Sequence, residues 1–380
     1  MLTTYILFGC MAFVLALYTG LSGYMLGGLA RITKDKTKGL KGDTPKASVV
    51  IAMRNEGYHI DDLINSLAKQ IYPPNDFELI IIDDQSDDWH YNKVKNRLLR
   101  SSIRHYQLLR NPGTGKKAAL AYGIKNASHE IILQTDGDVI LDSLWIWGMT
   151  RRLRNKYNGV VLGQVEMIPQ KSIWSKYAAL DFLSLQAATL AFTLRQKPIM
   201  ANGANFGFMR ETYSRFGKKH HNYASGDDVF LVQEAAKNGI EVNACVSAQS
   251  LVKTAAPPNF KAYINQRVRW GSKTGGYPSV TAKITAAIVA LSNAAVPVGL
   301  IICFFKPDLW VIYLAFALSK IIMDFSITAI YASRFQQRKL LAVYPWVALL
   351  HPFITCYIIL LILIRPNQME WKKRKVPVVK

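Results

Sequence analysis

Long apolar segments at both ends of the chain place the strongest limit on its fold. Residues 1–30 contain no Asp, Glu, Lys or Arg, and further apolar runs cover residues 284–305, 309–331 and 341–364. A helix that crosses a bilayer needs about 20 mostly apolar residues. The pattern therefore predicts an uncleaved N-terminal membrane anchor and a C-terminal membrane region, with a polar domain at residues 45–280 between them.

The charge of the chain agrees with this division. Lys and Arg outnumber Asp and Glu by 47 to 25, which gives a formal net charge of +22. Because the hydrophobic residues are concentrated at the two ends, the basic excess points to a membrane and an anionic substrate and away from nucleic acid. Five basic residues between 31 and 41 directly follow the first apolar run. By the positive-inside rule this flank, and the polar domain after it, are predicted to face the cytoplasm.

The last apolar run has two interpretations. A basic loop at residues 334–339 precedes it and is predicted to be internal. If residues 341–364 then cross the membrane, the basic tail at residues 365–380 lies outside, against the same rule. Pro345 and Pro352 within the run also fit an interfacial or re-entrant segment. Two or three spans are therefore predicted in the C-terminal membrane region.

The polar domain alternates short apolar runs with amphipathic stretches. Strands are predicted at residues 47–52, 77–82, 105–109, 130–134 and 160–165, and helices at 60–69 and 117–125. Strands that alternate with helices indicate an α/β fold with a mainly parallel sheet. In such sheets ligands bind beyond the carboxyl ends of the strands.

Two acidic clusters follow predicted strands and should therefore meet at one edge of the sheet. One covers residues 83–88, and the other is Asp136-Gly137-Asp138. Crowded carboxylates need a cation or hydrogen-bond donors to offset their repulsion. An Asp-x-Asp at a strand end suits a hard divalent cation that takes oxygen ligands. Taken alone, residues 83–88 fit a turn and a helix cap equally well. The coincidence of both clusters at one edge favours a binding site.

A glycine-rich segment lies between these clusters. It reads Asn-Pro-Gly-Thr-Gly-Lys-Lys over residues 111–117. Lys116 and Lys117 open a predicted helix whose N-terminus favours anions. The glycine-to-lysine spacing excludes a Walker A loop. A nucleotide diphosphate bound between a metal ion and a lysine fits all three segments.

Two later segments could belong to a binding site or could have a purely structural role. Asp227 and Asp228 precede an amphipathic run, where a carboxylate can act as a helix cap. Two arginines and Trp270 in the segment 266–270 can equally form a membrane-interface girdle.

Taken in order, these segments resemble the family 2 glycosyltransferases of the GT-A fold over about residues 47–272. Gln-Arg-Val-Arg-Trp at 266–270 is similar to the Gln-x-x-Arg-Trp of membrane-embedded members such as cellulose, chitin and hyaluronan synthases and ceramide glucosyltransferases. The other matching segments are residues 50–56 (first strand), 82–87 (nucleobase and ribose turn), 115–120 (Gly-Lys…Ala-Leu), 135–138 (metal-binding Asp-x-Asp), 202–206 (acceptor-side loop) and 226–228 (catalytic base). Met53-Arg54 departs from the Pro and small or aromatic residue of many members.

The resemblance implies an inverting transfer of a sugar from a nucleotide-sugar donor, with a UDP-sugar favoured, to a lipid or polysaccharide acceptor. It implies Asp228 as the catalytic base, and Asp227 is then expected to cap its helix. Nucleotide-sugar binding is assigned to Glu56, Asp83, Asp84, Lys116 and Asp136, metal binding (Mg²⁺ or Mn²⁺) to Asp136 and Asp138, and the acceptor or diphosphate to Asn202, Gly203, Gln266, Arg267, Arg269 and Trp270. By the same resemblance, Asp84 is expected to accept the N–H of the base, with Asp83 as the alternative.

The expected protein is thus an integral membrane enzyme of a bacterial inner membrane with a cytoplasmic catalytic domain. Its predicted parts are an anchor at 1–30, a basic linker at 31–44, a GT-A domain at 45–280, a membrane region at 281–364 and a basic tail at 365–380. One alternative is a processive polysaccharide synthase subunit, with a partner subunit if a polymer is exported. A non-catalytic scaffold or transporter subunit is the other, for which Lys320 and Asp324 within one span are the relevant feature.

Overall fold

The computed structural model describes most of the chain. The described residues are 2–32, 44–154, 156–217, 226–364, 369–371 and 374–376. Most of the predicted basic linker, and most of the predicted basic tail, lie outside the described residues.

Helices and strands alternate through the middle of the chain, and long helices stand at its ends. The helices are α1 (Leu2–Leu29), α2 (Ile60–Ala68), α3 (Asp88–Leu99), α4 (Lys116–Asn126), α5 (Trp145–Thr150), α6 (Ile173–Thr193), α7 (Arg210–Phe216), α8 (Asp227–Lys237), α9 (Phe260–Gly271), α10 (Val280–Phe305), α11 (Trp310–Arg334) and α12 (Tyr344–Ile364). The strands are β1 (Ala47–Met53), β2 (Phe77–Asp83), β3 (Tyr106–Arg110), β4 (Ile131–Thr135), β5 (Val139–Leu141), β6 (Val160–Leu162), β7 (Val165–Ile168), β8 (Phe206–Met209), β9 (Val242–Ala244), β10 (Val252–Ala255), β11 (Met369–Trp371) and β12 (Arg374–Val376). Short 3₁₀ segments cover Ala248–Ser250, Thr274–Gly276, Pro307–Leu309 and Arg338–Val343.

The chain divides into two compact units. The first unit comprises Met1–Ile32, Pro169–Arg195 and Ala256–Pro366, and the second comprises Thr33–Ile168, Gln196–Ala255 and Asn367–Lys380. The predicted 45–280 domain therefore contributes residues to both units. Helices α6 and α9 group with the long apolar helices of the first unit.

A seven-stranded sheet forms the centre of the second unit. Its strand order is β3-β2-β1-β4-β8-β6-β9. Strand β8 runs antiparallel to its neighbours β4 and β6, and the other pairs are parallel. Every residue of β1 and β2 is buried, as expected for parallel strands covered on both faces. The predicted mainly parallel α/β fold is confirmed.

The predicted strand at residues 160–165 is wrong in its extent. It consists of two strands, because the chain leaves the large sheet after β6 and joins a three-stranded sheet, β5-β10-β7, as β7. Gly163 lies at the switch, and a Cβ there would stand 2.1 Å from the amide of Asn205. Gly163 and Gln164 interrupt the apolar residues of this run, and the contact with Asn205 lies where the two strands separate.

One core cluster fixes the two helices that open at the carboxyl edge of the sheet. Leu120 of α4 and Val232 of α8 pack with Val50, Ile80 and Phe208 of the strands. All five side chains are 3% exposed or less. Burial of this kind contributes about 1.5–3 kcal/mol for each large side chain. The helix N-termini that carry the lysine pair and the aspartate pair are therefore held against the sheet by hydrophobic packing.

The long helices of the first unit have apolar surfaces on all sides. Four segments among the described residues are long and apolar enough to cross a membrane, namely Tyr5–Leu29, Val280–Phe305, Pro307–Arg334 and Arg338–Ile364. The last of these contains Pro352, yet α12 continues unbroken around it. Large apolar side chains such as Phe304 and Leu363 are exposed in the absence of lipid. Exposed apolar surface of this extent is typical of helices that contact a membrane.

Lys320 and Asp324 of α11 neutralise each other. Their side chains form an ion pair at 2.7 Å across one helical turn, and the Tyr18 hydroxyl of α1 donates a hydrogen bond to Asp324. The Lys320 ammonium also lies 5.0 Å from the ring centre of Tyr18. A polar group buried among apolar helices needs such partners. The pair therefore fastens α1 to α11.

Asn205 joins the two sheets of the second unit through a fully buried side chain. Its Oδ1 accepts a hydrogen bond from Trp145 Nε1 at 2.9 Å. Its Nδ2 donates to the backbone oxygens of Gln164 and Ser250 at 2.8 and 3.0 Å. One amide thus satisfies three buried polar groups from three different segments.

We expect Asn205→Ala to destabilise the protein by about 3 kcal/mol or more, because it leaves three buried groups without their partner and each costs about 1–3 kcal/mol. Thermal unfolding in detergent measures the effect. Asn75→Ala, at an exposed position, is the matched control and should leave the unfolding midpoint unchanged. Equal midpoints for the two variants would contradict the structural role of the Asn205 amide.

Candidate active site

The turns after β1 and β2 interlock at the carboxyl edge of the sheet. The backbone N–H of Asn55 donates to Ser86 Oγ at 2.9 Å, and the N–H of Asp87 donates to Asn55 Oδ1 at 3.0 Å. Asn55 and Gln85 have positive φ angles of 52° and 56°. Such left-handed residues other than glycine persist only where surrounding contacts hold them. The turns form one rigid rim.

The two aspartates after β2 have different environments. Asp84 Oδ1 accepts hydrogen bonds from Asn111 Nδ2 at 2.7 Å and from Gly115 N–H at 2.9 Å, which ties the glycine-rich loop to the sheet. Asp83 Oδ2 accepts from Ser86 N–H at 3.2 Å. Asp83 Oδ1 is buried and has no hydrogen-bond partner among the described residues. Because buried polar atoms normally have partners, Asp83 is the better placed of the two to accept a ligand N–H.

Lys116 supplies positive charge among several carboxylates. It is the first residue of α4, directly after Gly115, whose φ of +95° few other residues adopt. Its ammonium forms an ion pair with Asp136 Oδ1. Burial alone would lower the pKa of Lys116, but the attraction of Asp136, reinforced by Asp228 and Glu56, raises it. The lysine is therefore charged and close to three acidic side chains.

Asp136-Gly137-Asp138 connects β4 to β5. A Cβ at Gly137 would stand 1.9 Å from Glu56 Oε2, so the absence of a side chain allows Glu56 to approach this turn. The Asp138 carboxylate is half-exposed, with no hydrogen bond or ion pair to it from the described residues. No group of three or more His, Cys, Asp or Glu side chains arranged to hold a metal occurs among those residues. Two carboxylates still fit Mg²⁺ or Mn²⁺ when substrate phosphates supply further oxygen ligands.

The acceptor-side loop is fixed to the end of β4 and to α8. Asn202 Oδ1 accepts from Ala204 N–H at 3.0 Å, and Thr135 Oγ1 donates to Ala204 O at 2.7 Å. Gly203 N–H donates to Asp228 Oδ2 at 2.6 Å. Of the predicted residues, Asp228 therefore contacts Gly203 directly, and Asn202 belongs to the same loop as Gly203.

Asp227 does not have the predicted capping position. Gly226, with a φ of 97°, is the N-cap residue of α8, and Asp227 is the first helical residue. A capping side chain must precede the first helical residue to reach the free N–H groups beyond it. The Asp227 carboxylate instead pairs with Lys117 Nζ at 3.3 Å. Burial raises its pKa, with Lys117 opposing and Asp228 adding to the shift.

The remaining predicted residues lie on α9 in the first unit. Arg267 Nε pairs with Asp181 Oδ2 of α6 at 3.3 Å. The Trp270 ring packs on Phe182, with 5.9 Å between ring centres. Gln266 and Arg269 are half-buried. The structure thus places the Arg267 guanidinium against a carboxylate of the chain itself, a contact that the sequence did not predict.

Three site-related residues escaped the sequence prediction. Asn111 braces Asp84, Lys117 pairs with Asp227, and Asp181 pairs with Arg267. Asp181 had a signal, because it is the sole acidic residue between Glu166 and Glu211. A carboxylate in the apolar middle of a helix requires a partner. The other two depend on pairings that the sequence alone does not specify.

The mainly parallel sheet, with acidic and basic groups at its carboxyl edge, is the architecture of the GT-A fold. Residues 45–272 match the family described as glycosyltransferase-like family 2, and the chain belongs to that family.

Known relatives agree with this assignment. The probable glycosyltransferase YdaM of Bacillus subtilis is 22% identical over 268 residues, which cover 69% of this chain and 62% of that protein. TarS of Staphylococcus aureus, a poly(ribitol-phosphate) β-N-acetylglucosaminyltransferase, is 35% identical over 94 residues, 24% of this chain and 16% of that protein. The chain therefore spans less than two thirds of either relative. The solved structure of the mannosyltransferase PcManGT from Pyrobaculum calidifontis, in complex with GDP-Man and Mn²⁺, has the same fold, with a TM-score of 0.54 at 16% identity over 87% of this chain and 99% of that one.

Replacing Lys116 by Met should destabilise the ligand-free protein by about 1 kcal/mol, or roughly 2–4 °C in the unfolding midpoint. The ion pair that is lost is partly solvated, since its side chains are 29% and 30% exposed. Binding of a nucleoside diphosphate should weaken as well, because the variant lacks the ammonium at the helix N-terminus. Thermal unfolding with and without the nucleotide measures both effects.

Lys93→Met is the matched control for that comparison. Lys93 of α3 pairs with Asp61 of α2 at the surface. Loss of the Lys93 ammonium should change neither the unfolding midpoint nor nucleotide binding. Unchanged nucleotide affinity in Lys116→Met would show that Lys116 is not part of the anion site.

Proposed function

We propose that the chain transfers a sugar, with inversion at the anomeric carbon, from a UDP-sugar to a hydroxyl of a lipid or polysaccharide acceptor at the cytoplasmic face of a membrane. The observation that carries the proposal is the gathering of Glu56, Asp136 and Asp228 around Lys116 at the carboxyl edge of the sheet. The relatives named above, one an N-acetylglucosaminyltransferase and one bound to GDP-Man, support a nucleotide-sugar donor.

The donor side of the site is divided between the first two turns and α4. Asp83, through its unpartnered Oδ1, accepts the N–H of the nucleobase. Asp84 keeps the glycine-rich loop in place, so that the N-terminus of α4 and Lys116 face the diphosphate. Asp136 and Asp138 would hold Mg²⁺ or Mn²⁺, which when bound offsets the negative charge that develops on the leaving nucleoside diphosphate.

Asp228 is the proposed base on the acceptor side. The hydroxyl oxygen of the acceptor attacks the anomeric carbon, its proton passes to the Asp228 carboxylate, and the bond to the nucleoside diphosphate breaks. The backbone N–H groups of Gly203 and Val229 orient that carboxylate at 2.6 and 2.9 Å. General-base help of this kind is worth about 10²–10⁴-fold. The resemblance implies that an acceptor sugar binds against the flat face of Trp270 and that Arg269 binds phosphate groups.

Single transfer fits the membrane region better than processive synthesis within one chain. Four candidate spans occur among the described residues, which is few for a polymer channel. A polymer product would then require a partner subunit.

The proposal is tested with sealed membrane vesicles of both orientations and a panel of labelled nucleotide sugars. Transfer should occur in inverted vesicles and be absent in right-side-out ones, because a charged nucleotide does not cross the bilayer. Mass spectrometry of lipid and polymer fractions identifies the product, and the proton coupling of its anomeric carbon gives the stereochemistry. Retention of configuration, or transfer in right-side-out vesicles alone, would refute the mechanism or the membrane face.

Activity should require a divalent metal. Chelation with EDTA is expected to abolish transfer, and added Mg²⁺ or Mn²⁺ should restore it, since two carboxylates and a diphosphate form a natural set of oxygen ligands. Asp138→Asn should raise the metal concentration needed for half-maximal rate. Full transfer in EDTA would exclude the metal assignment.

Asp228→Asn should lower turnover by ~10²-fold or more and leave nucleotide affinity nearly intact, because the amide is nearly isosteric but cannot take a proton. Asp227→Asn, at the neighbouring position, should retain most of its turnover, since its carboxylate pairs with Lys117. Turnover and calorimetric nucleotide binding are compared for both variants. If Asp227→Asn alone loses turnover, the roles are exchanged, and if neither loses it, the general-base mechanism is wrong.

A further inference from the structure

Asp181 is a buried carboxylate at which three helices of the first unit meet. It lies on α6 and is 3% exposed. Its Oδ2 accepts a hydrogen bond from the Tyr263 hydroxyl at 2.9 Å and pairs with Arg267 Nε at 3.3 Å, both on α9. Its Oδ1 lies 3.7 Å from His351 Nδ1 of α12. An isolated charge at such a position would be strongly unfavourable, so α9 supplies groups that the carboxylate needs.

The contacts fix the rotation of α9 about its own axis. Tyr263 and Arg267 are four residues apart and therefore lie on one face of the helix. Arg269 follows about 200° further around the helix than Arg267, since each residue turns it by about 100°. Trp270 packs on Phe182, the residue next to Asp181. Tyr263, Arg267 and Trp270 thus form one face of α9 that contacts residues 181 and 182 of α6, and Arg269 lies on the opposite face.

We propose that Asp181 is a positioning residue, which by holding Tyr263 and Arg267 presents Arg269 and Trp270 to the substrate. This inference depends on the proposed function. It divides the two arginines of the segment: Arg267 anchors the helix, and Arg269 acts on the substrate. Arg267 was predicted from the resemblance to bind the acceptor or the diphosphate, so the proposal changes the role of that residue.

An apolar replacement of the whole contact separates positioning from chemistry. Asp181→Leu alone leaves Arg267 and Tyr263 buried without their acceptor, whereas the triple variant Asp181→Leu/Tyr263→Phe/Arg267→Met removes the carboxylate and both of its α9 partners together; His351 stays hydrogen-bonded to Tyr177. Well-packed apolar replacements of buried ion pairs are often tolerated. We expect Asp181→Leu to lower kcat by ~10-fold or more, with the donor KM changed by less than about 3-fold, because small misplacements of a binding group reduce rate strongly. The triple variant should recover to within about 3-fold of the wild-type kcat.

Two further variants complete the series. Asp181→Asn keeps an oxygen acceptor for Tyr263 and should fold even where Asp181→Leu does not, with a kcat between those of the wild type and Asp181→Leu. Lys176→Ala, at an exposed position of the same helix, is the control and should match the wild type.

Hydrogen exchange of residues 260–271 provides a readout that needs no turnover. Exchange should rise in Asp181→Leu and return to the wild-type level in the triple variant. A triple variant with protected α9 amides but a kcat as low as that of Asp181→Leu would show that Arg267 acts on the substrate, which overturns the proposal. Full activity of Asp181→Leu would also overturn it. If the wild type transferred no sugar at all, the proposed function would fail, and unchanged exchange in Asp181→Leu would then refute the positioning contact independently.

Discussion

The balance of charge around Lys116 is the interaction on which the site depends. The turns after three strands bring carboxylates to one edge of the sheet, and their mutual repulsion would open that edge without a nearby cation. Lys116 pairs with Asp136 and attracts Asp228 and Glu56. Its position follows from Asp84, which binds the loop before α4, and from the core that holds α4 to the strands. Local hydrogen bonding and hydrophobic packing therefore place the charge.

The central strands could be predicted from the sequence, and the outer ones could not. The predicted limits of β1, β2 and β4 agree with the structure to within one residue, because each is a predominantly apolar run followed by polar turn residues. The run at 160–165 contains Gly163 and Gln164, and it divides between two sheets at Gly163, where the Asn205 side chain approaches. That contact joins residues about 40 positions apart, and a pattern that is read locally contains no trace of it.

Residue types in the site were predictable, whereas their pairings were not. The acidic clusters and the lysine are visible in sequence as polar residues directly after apolar strands. Which aspartate holds the glycine-rich loop and which has a spare acceptor depends on the direction of each side chain at the strand end, and successive side chains point to opposite sides. The partner of Arg267 could not be predicted either, because Asp181 lies 86 positions earlier in the chain, on another helix.

Adjacent residues of the same type therefore have different contacts in this protein. Asp84 binds the loop while Asp83 keeps an unpartnered oxygen, and Lys117 pairs with Asp227 while Lys116 and Asp228 face the site residues. The cause is the direction of the side chains, since two adjacent residues at a strand end or on a helix cannot point the same way. The side chain that points into the protein needs a polar partner to offset its desolvation. Once it has that partner, it fixes the backbone from which the other member projects. In the doublets 83/84, 116/117 and 227/228, one member is thus held by a neighbouring group and the other faces the proposed site. We expect substitution of the held member to act mainly through stability, and substitution of the other member to act mainly through substrate binding or rate.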